Sequence, residues 1–341
     1  STDPGFVAEK QVVERHGGRI IYSSGEVVFS STQLISKMPR GAEMQSRRLR
    51  AYCETYDVSE ASLGEMMDRF HGLRVVVVGD VIIDRYVMCD AVGLAGEGPM
   101  ISLAHRDEQT YVGGAAIVAR HVAALGAHAF LLSAGAGADD LVTGSVTKVL
   151  ADQGVDAQLI HARPSIVEKT RFLADDAKLF KLDRAARVPL DSLAQKQAVT
   201  MLEQQCKAAD AVIFCDFGYG MISESLLQRV LPTLRHNVRI ITADVSGGRA
   251  NLLNFRNANL LSPTEREARA MLNDYDSGLS NVAWEILKQT QAQHIFITLE
   301  KRGLLVFERR SQDRNSPEWS ARLRSELLPA FADHAVDRLG C

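Results

Sequence analysis

Acidic residues recur at one kind of place in this sequence, just past short apolar runs. Val77-Val78-Gly79-Asp80 opens the series, with Asp84 a turn further on, and Phe214-Cys215-Asp216 and Asp244 after Arg239–Ala243 repeat it. A run of β-branched and apolar residues of that length reads as a buried parallel strand. An acid directly after it stands at the carboxyl edge of the sheet, where open α/β folds bind their ligands. Carboxylates at that edge can accept hydrogen bonds from hydroxyl groups, and an Asp that merely caps a turn would look the same. Glycines accompany the acids: Gly113-Gly114 precedes a helical stretch, and Gly218 and Gly220 follow Asp216. Such glycines let backbone approach a ligand, and a helix start offers unbonded N–H groups, although many Gly-Gly pairs are plain turns. Ser262-Pro263-Thr264-Glu265-Arg266-Glu267 carries the Pro and first-turn acids of an ordinary helix start, so capping accounts for Glu265. Thr298 ends another apolar run, with Gly303 shortly after it.

The elements that must position these residues alternate. Strands are expected over Arg74–Val78, Ala129–Ser133, Ala211–Cys215, Arg239–Ala243, Asn259–Leu261 and His294–Thr298. Helical periodicity lies between them at Ala115–Leu125, Leu141–Gln153, Leu190–Ala208, Ser223–Leu234, Thr264–Leu272 and Ser280–Thr290. That rhythm predicts an α/β fold, a doubly wound and mostly parallel sheet with helices on both faces. Pro99–Gln109 and Glu168–Asp183 break it and read as a small antiparallel β lid across one edge. Residues 1–38 are too few to bury a core of their own. Residues 39–72 read as a charged linker followed by a helix carrying Leu63, Met66, Met67 and Phe70.

Composition narrows the function classes. The chain has 341 residues, 46% hydrophobic and 24% charged, which argues against a disordered or fibrous protein. A formal charge of −3 gives no basic field for nucleic acid or anionic lipid. The apolar stretches Leu73–Val78 and Val122–Ala138 fall short of the roughly 20 residues of a membrane span. Five scattered cysteines without a CxxC pair, and a start (Ser1-Thr2-Asp3-Pro4) unlike a signal peptide, predict a cytoplasmic setting.

From Leu73 onward the order of motifs resembles the ribokinase-like (PfkB) sugar kinases, and among them the heptose-7-phosphate kinase domains of ADP-heptose synthases. The carriers are Gly79-Asp80 with Asp84-Arg85-Tyr86, Glu97-Gly98-Pro99, Gly113-Gly114-Ala115-Ala116, Glu168-Lys169-Thr170-Arg171, Lys181-Leu182-Asp183-Arg184, Cys215-Asp216-Phe217 with Gly220, and Ser262-Pro263-Thr264 with Glu267. The resemblance implies ATP-dependent phosphoryl transfer to a sugar or sugar phosphate, with ATP and Mg²⁺. It places Asp80, Asp84, Gly113, Gly114, Lys169, Arg171 and Asp216 on the sugar side and Asp244, Thr298, Gly303 and Asp337 on the nucleotide side. Glu267 would act on Mg²⁺ through water. Asp337-Arg338-Leu339-Gly340-Cys341 aligns with the opening of the family's Gly-Ala-Gly-Asp anion-hole turn, so the catalytic Asp would come two residues after Cys341, and residues 1–341 alone are expected to be inactive. Family lids often pair, which implies a homodimer through the lid. Gly17-Gly18-Arg19 and Phe29-Ser30-Ser31-Thr32-Gln33-Leu34-Ile35 resemble the closing strand and helix of a cytidylyltransferase-like domain.

Four positions depart from the family pattern. Ile117 stands where an Asn contacts the sugar, Tyr219 and Ser246 replace lysines, and Thr264 replaces the Asn of the metal motif. An apolar side chain cannot supply the hydrogen bonds of an amide. A kinase-like module that binds sugar phosphate or nucleotide without transfer, or that supports a fused nucleotidyltransferase, is the alternative these substitutions leave open.

Overall fold

The computed structural model describes residue 15 and residues 41–137, 139–174, 177–184, 187–246, 250–309 and 323–330. The chain divides into two compact units, Ser1–Ala51 and Tyr52–Cys341. In place of the expected linker, helix α1 runs over Gly41–Tyr56. That segment is charged but free of Pro, and after Gly41 free of Gly, so nothing interrupts a helix. Helix α2, Glu60–Asp68, starts at a Ser59–Ser62 capping box, yet Leu63, Met66 and Met67 on it are exposed.

The larger unit is built on a nine-stranded sheet among the described residues, in the order β13-β12-β11-β10-β9-β8-β1-β4-β5. Its strands are β1 (Arg74–Gly79), β4 (His128–Gly135), β5 (Val155–His161), β8 (Ala211–Asp216), β9 (Ile240–Val245), β10 (Leu260–Leu261), β11 (His294–Thr298), β12 (Leu304–Arg309) and β13 (Leu323–Leu328). Seven strands, β5, β4, β1, β8, β9, β10 and β11, run parallel, and β12 and β13 close one edge in antiparallel register. Helices α3 (Ala115–Ala124) and α4 (Leu141–Asp152) cover one face; α5 (Ser192–Gln205), α6 (Glu224–Asn237), α7 (Glu265–Leu272) and α8 (Leu279–Thr290) cover the other. The continuous valine run of β1 follows from this arrangement. Val75 and Val77 pack toward α3 and α4, while Val76 and Val78 pack toward Leu202, Phe214 and Leu226. A strand buried on both faces has no polar alternation to show. Side-chain caps at Asp140, Asp191 and Ser223 set the starts of α4, α5 and α6.

A second sheet, β3-β2-β6-β7, projects from the end of β1. It comprises β2 (Val81–Leu94), β3 (Ile101–Gly114), β6 (Val167–Ala174) and β7 (Ala177–Arg184). Its outer pairs are antiparallel, while the central β2–β6 pair is parallel because β6 returns only after the β4-α4-β5 crossover. The lid takes in more chain than the sequence alone assigned to it. Asp84 lies within β2, not in a loop after β1. No helix among the described residues is long and apolar enough to cross a membrane.

Candidate active site

Strand order locates the crevice. The chain leaves β1 toward β4 and β5, then crosses back to β8 and continues to β9, β10 and β11. The winding direction therefore reverses between β1 and β8, and ligands of open α/β sheets bind outside the carboxyl ends of strands at such a reversal. Asp80 directly follows β1 and Asp216 ends β8, one on each side of it.

The two acids differ in environment. Asp80, expected on the sugar side as an acceptor for hydroxyls, has no solvent exposure. Its Oδ1 accepts from Arg163 Nη2 at 3.0 Å and from Met221 N at 3.2 Å, and its Oδ2 accepts from Tyr219 N at 3.2 Å. The reason is topological: the β5–β6 loop and the turn after β8 both converge on the end of β1. Asp80 thus ties three segments together. Asp216 Oδ1 accepts from Gly218 N at 2.9 Å. Burial, with the neighbouring Asp80 charge, pushes its carboxyl up to about 6.

The lid supplies the cations. Across the β2–β6 ladder, Asp84 faces Lys169 and Tyr86 faces Arg171. Arg171 Nη1 pairs with Asp84 Oδ1 at 2.5 Å, and its guanidinium lies 5.1 Å from the centre of the Tyr86 ring. Lys169 has no carboxylate within ion-pair distance among the described residues. Its Nζ sits 5.7 Å from the centre of the Phe217 ring and 5.3 Å from that of Tyr219. Burial lowers its pKa, with Asp84 opposing. A half-buried ammonium held by ring faces is available to an incoming anion. Tyr219, a departure from the family lysine, thus borders a lysine that arrives from β6. Gly113 and Gly114 end β3 opposite Ile82 and Val81, beside this cluster. A methyl group on Gly113 would stand 2.4 Å from Asp84 Oδ2, and Gly114 has φ +63°. The half-buried Ile117 follows on the first turn of α3.

A second cluster lies further along the edge. Thr264 and Thr298 are bridged in parallel, and Thr298 N donates to Pro263 O. Glu267, not Glu265, completes the capping box: its Oε2 accepts from Thr264 N at 2.9 Å and Thr264 Oγ1 at 2.8 Å. Glu265 is held by Arg269 and Arg302 instead. Burial, with Glu267 nearby, pushes Asp244 up to about 6. Gly303 closes the turn after β11, its carbonyl accepting from Leu299 N at 2.8 Å. Ser246 N donates to Asp216 O, joining the two clusters.

The structure therefore brings Asp84, Gly113, Gly114, Lys169, Arg171 and Asp216 together around the β1–β8 reversal, with Asp80 beneath them. Asp244, Glu267, Thr298 and Gly303 gather beyond β9. Asp337, Gly340, Cys341 and the motif-bearing residues 17–35 lie outside the described residues. Arg163, Phe217 and Tyr86 were not among the expected site residues. A buried Arg after an edge strand and an aromatic beside Asp216 leave no local pattern that separates them from core packing.

The description "pfkB family carbohydrate kinase" matches residues 73–320. Among curated proteins, the bifunctional protein HldE of Nitratiruptor sp. is 24% identical over 239 residues, covering 69% of this chain and 50% of that protein. HldE of Helicobacter pylori is 28% identical over 244 residues, covering 69% and 51%. The chain spans about half the length of these relatives. Phosphofructokinase-2 from Escherichia coli in complex with fructose-6-phosphate superposes with a TM-score of 0.58 at 16% identity, over 77% of this chain and 82% of that one. Arabidopsis thaliana ribokinase complexed with ribose and ATP gives 0.55 at 16% identity, over 78% and 81%. The extent of the family match, over the residues that build the lid, the crevice and every strand of the large sheet except β13, makes this chain a member of the pfkB family of carbohydrate kinases.

Proposed function

We propose that this protein transfers a phosphoryl group from ATP to a hydroxyl of a phosphorylated sugar, a heptose 7-phosphate in the reading that its relatives favour. The observation that carries the proposal is Lys169: an ammonium without an ion-pair partner among the described residues, seated on two aromatic faces, under a lid and beside the β1–β8 reversal. An anionic sugar would draw Lys169 off the rings into a charge-assisted hydrogen bond. Arg171, already paired with Asp84, would orient the same end of the sugar. Phosphoryl transfer is chiefly a matter of positioning and charge neutralisation, so two adjoining clusters on one sheet edge suit it, with sugar at β1–β8 and nucleotide at β9–β11.

The second cluster fits a magnesium ion. Among the described residues no three potential ligands converge, but Mg²⁺ is commonly held by one or two carboxylates together with substrate phosphates and water. Asp244 and Glu267 would provide these carboxylates, Glu267 through the oxygen not used in its cap. The ion supplies charge neutralisation for the nucleotide phosphates. Apolar side chains exposed on the lid, among them Val92, Leu94, Ile101 and Phe180, suit a homodimer through that sheet.

Coupled measurement of ADP release with Mg-ATP and a panel of sugar phosphates tests the proposal, with calorimetric titration of each ligand alongside. ADP formation dependent on one sugar phosphate supports it. Sugar-phosphate binding without ADP formation favours the non-transferring module, a reading to which the capped Glu267 oxygen and the missing lysine at Tyr219 also lend support.

A further inference from the structure

Arg163 follows β5, and its backbone N–H donates to Gly135 O at 3.3 Å, which anchors it over the end of β4. Its side chain is 2% exposed. Nη2 is bound to Asp80, whereas Nε and Nη1 are buried and have no acceptor among the described residues. Buried charged donors without acceptors are costly and rare. A counter-ion for Asp80 alone does not need them, since Tyr219 and Met221 already donate to that carboxylate. The same carboxylate places Arg163 one bond away from the turn that carries Phe217 and Tyr219, the rings under Lys169.

We propose that Arg163 Nε and Nη1 donate to a neutral hydroxyl oxygen of the acceptor sugar, which makes Arg163 a specificity-determining residue at the floor of the crevice. The inference rests on the carbohydrate-kinase reading above. Charge selects a hydroxyl over a phosphate oxygen: Asp80 already balances the guanidinium at 3.0 Å, and Asp216 adds a second carboxylate nearby. An anion there would leave uncompensated negative charge in a buried place. Lys169, on the lid side, is a cation of the crevice without an ion-pair partner among the described residues. The sugar is therefore oriented with its anionic end at Lys169 and a hydroxyl at Arg163. Gly218 and Gly220, both at positive φ, flank Tyr219 in the turn whose backbone N–H groups donate to Asp80.

The test uses the full chain and Arg163→Lys, which keeps a charge for Asp80 but loses the planar fork. Fructose 6-phosphate, a heptose 7-phosphate, their monodeoxy analogues and inorganic phosphate are titrated calorimetrically. Expected is a loss of about 10- to 100-fold in affinity for one parent sugar phosphate, the cost of hydrogen bonds to a charged donor. Inorganic phosphate and ATP should bind as before. One monodeoxy analogue should bind wild type and variant equally well. Unchanged sugar affinity in the variant, an equal loss for inorganic phosphate, or the same penalty across every deoxy analogue would overturn the assignment and leave Arg163 a structural ion bound to water. If Arg163→Lys does not fold, the deoxy series on wild type decides, and the absence of any deoxy penalty of about 10-fold or more counts against the proposal. Wild type that binds no sugar refutes it too. The kinase reading fails separately, by absence of ADP formation, and sugar binding without transfer leaves the Arg163 assignment standing.

Discussion

Asp216→Asn should stabilise the fold in a pH-dependent way. Asp216 is 6% exposed, and burial beside Asp80 pushes its carboxyl from 3.8 to about 6. The folded chain thus binds this proton more tightly than the unfolded chain does. The corresponding stability is fully present below about pH 4 and is lost as pH rises through about 6. Raising a carboxyl from 3.8 to about 6 corresponds to about 3 kcal/mol at most, and water drawn in by the ionised group reduces it, so about 1–3 kcal/mol is expected at pH 8. Asn keeps a carbonyl oxygen for the Gly218 N–H and removes the charge. Urea denaturation of wild type and variant at pH 4 and pH 8 measures the effect. The variant should be more stable than wild type at pH 8 by that amount, equivalent to several degrees in Tm, and close to equal at pH 4. A variant less stable at pH 8, or one with the same difference at both pH values, would show that Asp216 is not strained by its own charge and would refute the reasoning.

Other perturbations give separate readouts. Lys169→Gln should weaken binding of the sugar phosphate about 10- to 100-fold with little change in affinity for ATP; equal changes in both would contradict a sugar-side role. Gly113→Ala would force its methyl group against Asp84, 2.4 Å away, and break the Asp84–Arg171 pair, so sugar affinity should fall while the urea midpoint moves little. Gly79→Ala is a different case, because the added methyl would stand 2.1 Å from the backbone oxygen of Cys215 on the neighbouring strand. Soluble yield should collapse, and normal expression with an unchanged midpoint would contradict the β1–β8 register. Burial pushes the Cys206 thiol up to about 12 and also raises Cys215. Neither should react with a thiol reagent at pH 8 in the folded chain, whereas the partly exposed Cys53 should.

Much of this molecule is written locally. The valine run of β1 and the apolar runs of β4, β8, β9 and β11 identify themselves, because a strand covered on both faces must be apolar throughout. Helix starts at Asp140, Asp191 and Ser223 are also legible, since a cap is a contact between residues a few positions apart. Edge strands were not. In β5, exposed Asp156, Gln158 and His161 alternate with buried Val155 and Ile160, and β13 at the opposite edge exposes Arg324, Ser325 and Leu327. The parallel β2–β6 pairing was equally hidden, because it joins segments separated by a whole β-α-β crossover.

The site divides along the same line. Residue types and order were enough to place acids and glycines at the carboxyl ends of successive strands and to identify the family resemblance. Which partners surround each acid was decided only in three dimensions. Asp80 and Asp216 follow apolar runs of the same kind, yet one is enclosed by Arg163, Tyr219 and Met221 and the other keeps a strained charge. Glu267 caps its helix for a local reason, as the third residue after the N-cap Thr264, whereas one partner of Glu265 comes from afar, since Arg302 follows β11. Local sequence determines which backbone conformations are cheap and which faces are buried. Partners for a buried charge come from wherever the topology brings chain together, across 83 residues for Arg163 and Asp80, and no local pattern carries that information.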